Sequence, residues 1–442
     1  MHFPVSLHVS ALLTVLCISN CDAQVLNGTA ARPQLSTADA RIYTADSYLT
    51  AEIPVDRPRK PPHLQCESLI LHLMCVIFGK ESVDIHPGNK YSSDLLPGKA
   101  GRLAALSSDN WDPSAGVALL SADYRVAADG SAPFKSVQAA VNRAVADGGT
   151  MRRYISVAPG TYRELLCIPS TAPPITLFGL GNTRSDTLIV FNNANPTPKL
   201  VGTPTHPCAS NAAAAVTGTS NSATVTVRAD AFQARNLTVA NDYVEDTYAS
   251  HNQSAVALAV RGDKALFENV AVLGNQDTLM VSATAAPSLI RAYFKDSLVQ
   301  GDTDFIFGSG IAVFSHSTIR YDANRLSSRR SGYIFAPSTK PDSIYGFLAT
   351  DSIFDAIGDV AGNSVYLGRA WDQGVASLSD YVNGTSPNGQ VTIRNSTLGA
   401  HIRKNAPWAA SSTTMRPYCS AGCKYSANRL YEYSNSGAGS TN

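Results

Sequence analysis

The chain has 442 residues, of which 16% are Asp, Glu, Lys or Arg, and a formal net charge of +1. That length holds one large domain or two ordinary ones. The near-neutral balance excludes a basic surface for nucleic acid or an anionic membrane, and leaves any acidic polymer to be recognised by a local groove.

Taken in chain order, the first element is the apolar run from Leu7 to Ile18, followed by Cys21-Asp22-Ala23. It reads as a secretory signal spanning 1–23, so the mature protein is expected outside the cell with no membrane segment. Eight cysteines are present. Cys17 and Cys21 leave with the signal, and Cys66, Cys75, Cys167, Cys208, Cys419 and Cys423 remain. An even set in a secreted chain suggests disulfides: Cys419 and Cys423 are placed to close a small loop, Cys167 and Cys208 to tie a long loop to a strand. Sequence leaves the pairing open. Sequons stand at Asn27, Asn236, Asn252, Asn383 and Asn395; Asn27 and Asn383 lie in loop-like sequence suited to glycans, whereas Asn236 and Asn395 sit in strand-like runs.

Residues 24–110 carry no motif and are set apart as an N-terminal extension without an assigned structure. Arg57-Pro58-Arg59-Lys60-Pro61-Pro62 reads as a linker, and the apolar run from Ser68 to Phe78 is too short to span a bilayer. Gln138 to Ala146 is Ala-rich with apolar residues at helical spacing, and is expected to form a short helix capping the open end of the domain that follows. From about residue 150 the chain becomes a series of short β-rich runs broken by Gly, Asn and Asp. A polar residue followed by a small one and then apolar ones recurs at Asn236, Asn269, Asp296, His316, Asp351 and Asn395, with gaps of 33, 27, 20, 35 and 44 residues. A tight coil with loops of variable length gives such gaps, as in a parallel β-helix whose stacked coils share one core.

The chemistry concentrates in three segments. Gly301-Asp302-Thr303-Asp304-Phe305-Ile306-Phe307-Gly308 sets Asp304 in an apolar strand-forming run, where an ionised carboxylate is costly without partners. Gly274-Asn275-Gln276-Asp277-Thr278-Leu279 sets a second acid, Asp277, in a similar context. Tyr366-Leu367-Gly368-Arg369-Ala370-Trp371 offers an arginine beside a tryptophan. Two carboxylates, an amide donor and one arginine suit nucleophilic and acid–base catalysis. An aromatic ring such as Trp371 suits a sugar-binding groove, and Phe307, three residues after Asp304, is a candidate for the same groove.

These segments, in this order, resemble the three signatures of the pectin methylesterases (carbohydrate esterase family 8). Val126-Ala127-Ala128-Asp129-Gly130-Ser131 with Phe134-Lys135-Ser136-Val137, Gly160-Thr161-Tyr162-Arg163-Glu164 and Arg429-Leu430-Tyr431-Glu432-Tyr433 are similar to flanking motifs of that family, so the resemblance covers about 111–438. It implies an all-β, right-handed single-stranded parallel β-helix. It also implies a secreted monomeric esterase acting on methyl-esterified pectin, without metal or organic cofactor. By the same resemblance Asp304 is the nucleophile and Arg369 orients it. Asp277 is the acid and then the base, and Gln276 donates to the oxyanion.

The sequence departs from the family pattern in four places. Asp302-Thr303 stand before Asp304, which is similar to a bacterial outer-membrane branch. The segment Gln253-Ser254-Ala255-Val256-Ala257-Leu258 puts Ser254 on the family's second oxyanion glutamine when matched without a gap; Gln253 contributes only if a bulge absorbs the slip. Met280 stands where many members have Tyr, making that subsite greasier. Asp277 and Asp304 are 27 residues apart, with the surplus expected in a cleft loop over 283–288. The rival readings are a pectin lyase, which usually needs calcium held by an acidic cluster, or a polygalacturonase, whose Asn-Thr-Asp and Arg-Ile-Lys signatures are absent, and a non-catalytic carbohydrate-binding relative, against which the retained Asp277 argues.

Overall fold

The structure is a computed structural model describing residues 27–29, 31–51, 111–199, 206–210, 213–283, 289–324 and 332–441. The expected signal, the linker, the apolar run from Ser68 to Phe78, Cys66, Cys75 and positions 284–288 of the expected cleft loop lie outside the described residues.

Short strands stack in parallel ladders to build three faces. One face runs through Arg153–Val157, Ile175–Gly179, Arg291–Lys295, Ile311–Ser315, Phe347–Thr350, Gln390–Arg394 and Arg429–Tyr433. A second runs through Gly160–Arg163, Thr187–Phe191, Leu298–Gly301, Thr318–Asp322 and Ile353–Ile357. The nine-residue strands Gln233–Asn241 and Ala265–Leu273 belong to both. The third face is a separate seven-stranded sheet. In this parallel β-helix every coil is covered by its neighbours, and the apolar interior is continuous from Val126 to Leu430.

The recurring polar residues are the corners between the first two faces. Asn236, Asn269, Asp296, His316, Asp351 and Asn395 all have φ between 50° and 55°. This left-handed conformation is tolerated by Asn, Asp and His better than by other side chains. A polar rail then follows the bend. The amide of Val270 donates to Ser297 Oγ (3.2 Å), that of Ser297 to Ser317 Oγ (3.1 Å), that of Ser317 to Ser352 Oγ (3.2 Å), and that of Ser352 to Ser396 Oγ (3.2 Å). Each small residue after a corner thus satisfies a buried amide on the coil before it. Inside, Phe267, Phe294 and Phe314 stack with ring centroids 4.6 and 5.0 Å apart.

The helix Val137–Asp147 closes one end and buries Val137, Ala140, Val141 and Ala144. Ser136 caps it, accepting from the amide of Ala139, and the carboxylate of Glu164 accepts from the amides of Val137 (2.7 Å) and Gln138 (2.9 Å). The Gly-x-Tyr-x-Glu segment therefore ends in a carboxylate placed at a helix N-terminus, where negative charge is favoured.

Part of the extension that gave no sequence signal is folded against the coils. Arg32–Gln34 is a strand whose Gln34 pairs with Glu432, and Arg32 meets Glu432 in a buried ion pair at 2.7 Å. Leu35, Tyr43, Tyr48 and Leu49 pack on Tyr293, Val313, Leu348 and Tyr431. Gln390 Nε2 donates to the hydroxyl of Tyr48 (2.8 Å), and Arg291 Nη1 donates to the carbonyl of Leu49 (2.7 Å). This segment forms a strap along the outside of the stack.

Candidate active site

The seven-stranded sheet comprises Leu166–Ile168, Val225–Val227, Leu258–Val260, Leu279–Val281, Thr303–Gly308, Tyr333–Pro337 and Tyr366–Gly368. Its registers align one row across the face: Cys167, Thr226, Ala259, Met280, Phe307 and Ala336. Gly368 pairs with Phe335, which sets Arg369 beside the end of this row. A Cβ on Gly368 would collide with the carbonyl oxygen of Phe335, so the close approach requires glycine.

Leu279 pairs with Ile306, and Asp277 and Asp304 each lie two residues before their member of that pair. Both are left-handed, with φ of 63° and 49°. At Asp304 the ladder to the next strand shifts register between Thr303 and Ile306, a bulge that frees the carboxylate from the regular in–out alternation. Arg369 grips it with both arms of its fork, Nε to Oδ1 at 3.0 Å and Nη2 to Oδ2 at 2.6 Å. The other face of the guanidinium lies 4.2 Å from the ring centroid of Tyr333, which stacks in turn on Tyr366. Burial opposes the charge on Arg369, but the hydrogen bonds and charge of Asp304 outweigh it and raise the arginine's pKa.

Asp277 is in the opposite condition. Protein surrounds it although its surface still reaches solvent. Burial first, then the negative charge of Asp304, push its pKa from 3.8 to about 8; Asp302 adds to the rise, while a hydrogen bond from Ser254 and the charge of Arg369 oppose it. At neutral pH the site therefore holds one acid in an ion pair and one acid carrying its proton.

Gln276 stands next to Asp277, and its Nε2 approaches Ser254 Oγ at 3.4 Å. Trp371 packs edge-on against Phe307, with centroids 5.7 Å apart. The adjoining Asp372 is buried in an ion pair with Arg416 at 2.8 Å, which anchors the segment that carries the tryptophan.

A sequence profile for pectinesterases matches residues 123–379. A pectinesterase from Ralstonia solanacearum is 51% identical over 439 residues, covering 99% of this chain and 98% of that relative. The chain belongs to the pectinesterase family. It is a carboxylic ester hydrolase. Among solved structures, rice weevil pectin methyl esterase superposes with a TM-score of 0.70 at 30% identity, covering 94% of this chain and 100% of that one. A pectin methylesterase in complex with a hexasaccharide superposes with a TM-score of 0.58 at 28% identity, covering 73% and 92%.

Two readings of the pectinesterase sequence are corrected by its geometry. Gln253 does not enter the site. Its side chain is fully buried, Oε1 accepting from Tyr243 Oη (2.7 Å) and Nε2 donating to the carbonyls of Tyr248 (3.1 Å) and Ser250 (2.7 Å). No bulge absorbs the slip, so Ser254 faces Gln276 and Asp277 instead. Met280 and Phe307 face the outer side as expected, but with 3% and 4% exposure they form the floor beneath their neighbours and present little surface themselves. Arg261 Nη2 reaches the sulfur of Met280 at 3.6 Å, and Trp371 lies against Phe307. Two further residues carry weight that no motif signalled. Tyr333 backs Arg369, and Asn252 holds Ser254 by accepting from both its amide and its hydroxyl. Tyr333 lies in an ordinary strand run, and only its pairing with Thr303 brings it to the site.

The cysteines pair as Cys167–Cys208 and Cys419–Cys423. Asn236 has both polar atoms engaged in the corner rail: Nδ2 donates to the carbonyls of Gly179 and Gly181, and Oδ1 accepts from Asn269.

Proposed function

We propose that this pectinesterase removes methyl groups from methyl-esterified homogalacturonan outside the cell, releasing pectate and methanol. The observation that carries the reading is the pair of carboxylates at one position of successive coils, one gripped by Arg369 and the other driven to about 8. Two acids kept in different protonation states divide the work of nucleophile and proton donor.

In this reading an Oδ of Asp304 attacks the ester carbonyl carbon, and the carbonyl oxygen becomes an oxyanion facing the Gln276 amide. Collapse breaks the bond to the methoxy group, which takes the proton of Asp277 and leaves as methanol. The polymer is then an acyl anhydride on Asp304. Asp277, now ionised, takes a proton from water as that water attacks the acyl carbon. The sugar carboxylate departs, Asp304 is restored and Asp277 is again protonated, so ester and water have become acid and methanol. Trp371 offers a ring for the pyranose C–H faces beside the reacting sugar, with Phe307 and Met280 as its apolar support.

Action outside the cell is supported by the apolar run from Leu7 to Ile18 and by the two disulfides, and no helix among the described residues is long and apolar enough to cross a membrane. The test is methanol release from highly esterified pectin by the purified mature chain, with Asp304→Asn as control. Release by the wild type and none by the variant is expected. Equal release by both would overturn the assignment of the nucleophile.

A further inference from the structure

Arg369 holds Asp304 from a distance. Its backbone follows the Tyr366–Gly368 strand, and its amide donates to the carbonyl of Phe335 at 2.9 Å. The strand bearing Asp304 is two steps away across the sheet, about 10 Å at the spacing of paired strands. The arginine side chain therefore crosses the intervening coil, which carries Tyr333, to set its fork on the carboxylate. A long, flexible side chain loses much freedom when held in one such pose. Hydrogen bonds at its tip fix the fork in its own plane, but they resist tilting out of that plane only weakly.

A column of rings lies against the fork. In the ladder Tyr333 pairs with Thr303 on one side and with Tyr366 on the other. The guanidinium of Arg369, held at Asp304, covers the side of the Tyr333 ring that faces Thr303, 4.2 Å from the centroid. The Tyr366 ring covers the opposite side, with centroids 5.1 Å apart and planes 12° from parallel. Beyond it the guanidinium of Arg403 lies 4.4 Å from the Tyr366 centroid. Arg403 belongs to the next coil. Ile402 bridges to Val365, the amide of Arg403 donates to the carbonyl of Val365 (3.0 Å), and its own carbonyl accepts from Arg32 of the strap (3.4 Å). The two rings are thus closed between two cations, and each ring has a neighbour on both faces. Neither offers a face to a pyranose, so the column is built toward the enzyme's own arginine and not toward the polymer.

We propose that Tyr333, backed by Tyr366 and Arg403, is the positioning residue for Arg369. The face of the Tyr333 ring keeps the guanidinium from tilting, and the two groups behind it keep that ring from swinging away. A fork that cannot tilt holds both oxygens of Asp304 in one plane, so the attacking lone pair keeps one direction. The proposal rests on the reading of Asp304 as the nucleophile and adds to it the device that aims it.

The test uses the full mature enzyme as wild type, Tyr333→Phe, Tyr333→Leu and Tyr366→Leu, and with phenylalanines of increasing ring fluorination at position 333. Methanol release from esterified pectin gives kcat and KM. The NMR order parameter of the Arg369 Nε–H bond reports the mobility of the fork independently of turnover. Fluorination weakens the negative face of a ring while nearly preserving its shape, so a role in packing alone would not respond to it. Tyr333→Phe is expected to stay within about twofold of the wild type, and Tyr333→Leu to lose about tenfold in kcat with KM unchanged and a looser Arg369, with Tyr366→Leu in between. Across the fluorinated series kcat is expected to fall in steps. A folded Tyr333→Leu enzyme with wild-type kcat, a Tyr333→Phe loss as large as that of Tyr333→Leu, or a kcat that is flat across the fluorinated series would overturn the proposal. So would a rise in KM alone, which would make the ring part of sugar binding. If Arg369 loosened in Tyr333→Leu while Asp304→Asn still released methanol, the column would stand and the nucleophile reading would fall.

Discussion

Asp277 and Asp304 occupy the same position on successive coils, both left-handed and both two residues before a paired strand residue, yet they are held in opposite electrostatic conditions. Backbone cannot produce that difference. It comes from the arginine fork on Asp304 and from the burial of Asp277 next to an existing negative charge. The coil repeat supplies two equivalent sites, and side chains two and three strands away make them unequal.

Replacing Asp304, the proposed nucleophile, tests that division directly. Asp304→Asn keeps a residue that tolerates positive φ, so the bulge survives. Methanol release is expected to fall by about 10⁴-fold or more, as for loss of a covalent nucleophile. Circular dichroism and thermal melting would establish that the variant is folded; a folded variant retaining a tenth of the wild-type rate would exclude Asp304.

In the proposed mechanism Gln276→Ala removes one donor to the developing oxyanion. The expected loss is about 10²–10³ in kcat, with KM nearly unchanged, because the ground-state carbonyl gains little from the same donor. A variant altered in KM alone would assign Gln276 to substrate binding.

The rate on a neutral methyl ester is expected to fall above about pH 8, where Asp277 loses the proton that the proposed mechanism gives to methanol. Two substitutions move this alkaline limb in opposite directions. Ser254→Ala removes a hydrogen bond that lowers the pKa of Asp277 and shifts the limb to higher pH; Asp302→Asn removes a negative charge that raises it and shifts the limb to lower pH. Limbs that stay in place in both variants would mean that another group sets the alkaline fall.

The same group links stability to pH. The pKa of Asp277 is higher folded than unfolded, so the folded state holds a proton that the unfolded chain releases. Its contribution to stability is fully present below about pH 4 and is lost as pH rises toward about 8. In Asp277→Asn this part of the slope disappears, so the variant gains stability relative to wild type between those limits. The gain is a few kcal/mol at most, since each tenfold difference in proton affinity between the two states is worth about 1.4 kcal/mol. Denaturant midpoints at pH 5 and 8 measure it; parallel losses in both proteins would contradict the raised pKa.

The corner rail offers a test of the scaffold. Ser317→Ala strips the acceptor from the buried amide of Ser297 and removes the hydroxyl that donates to the carbonyls of Phe294 and Ser315. A loss of about 1–3 kcal/mol is expected from urea unfolding, with activity preserved under native conditions. A change within error would show that the rail is dispensable.

Much of this arrangement was legible in the sequence because it depends on local chemistry. The residues at the left-handed corners are of types that tolerate positive φ, and four of the six are followed by a serine, Ser297, Ser317, Ser352 and Ser396, whose hydroxyl has a defined acceptor role. The motif acids converge because a coil returns each strand beside the last. Other features depend on register or on distant partners. Whether Gln253 or Ser254 faces the cleft turned on a single-residue alternation that only the Tyr243, Tyr248 and Ser250 contacts decide. Tyr333 reads as any strand aromatic until its pairing with Thr303 is known. The strap left no periodicity because its strand is three residues long and its partner lies 400 residues away.

That strap sets an order on the making of the molecule. Coils can settle one on another as the chain is synthesised, since each needs only the coil before it. Arg32 has no such neighbour: its carboxylate, Glu432, is translated 400 residues later. The segment produced early therefore waits while all the coils between are made and then docks, bringing with it the carbonyls of Lys404 and Gly439 as further acceptors. The C-terminal half of the stack, from the Arg291–Lys295 strand to the Arg429–Tyr433 strand, is fastened by a latch that closes only once the last coil is in place.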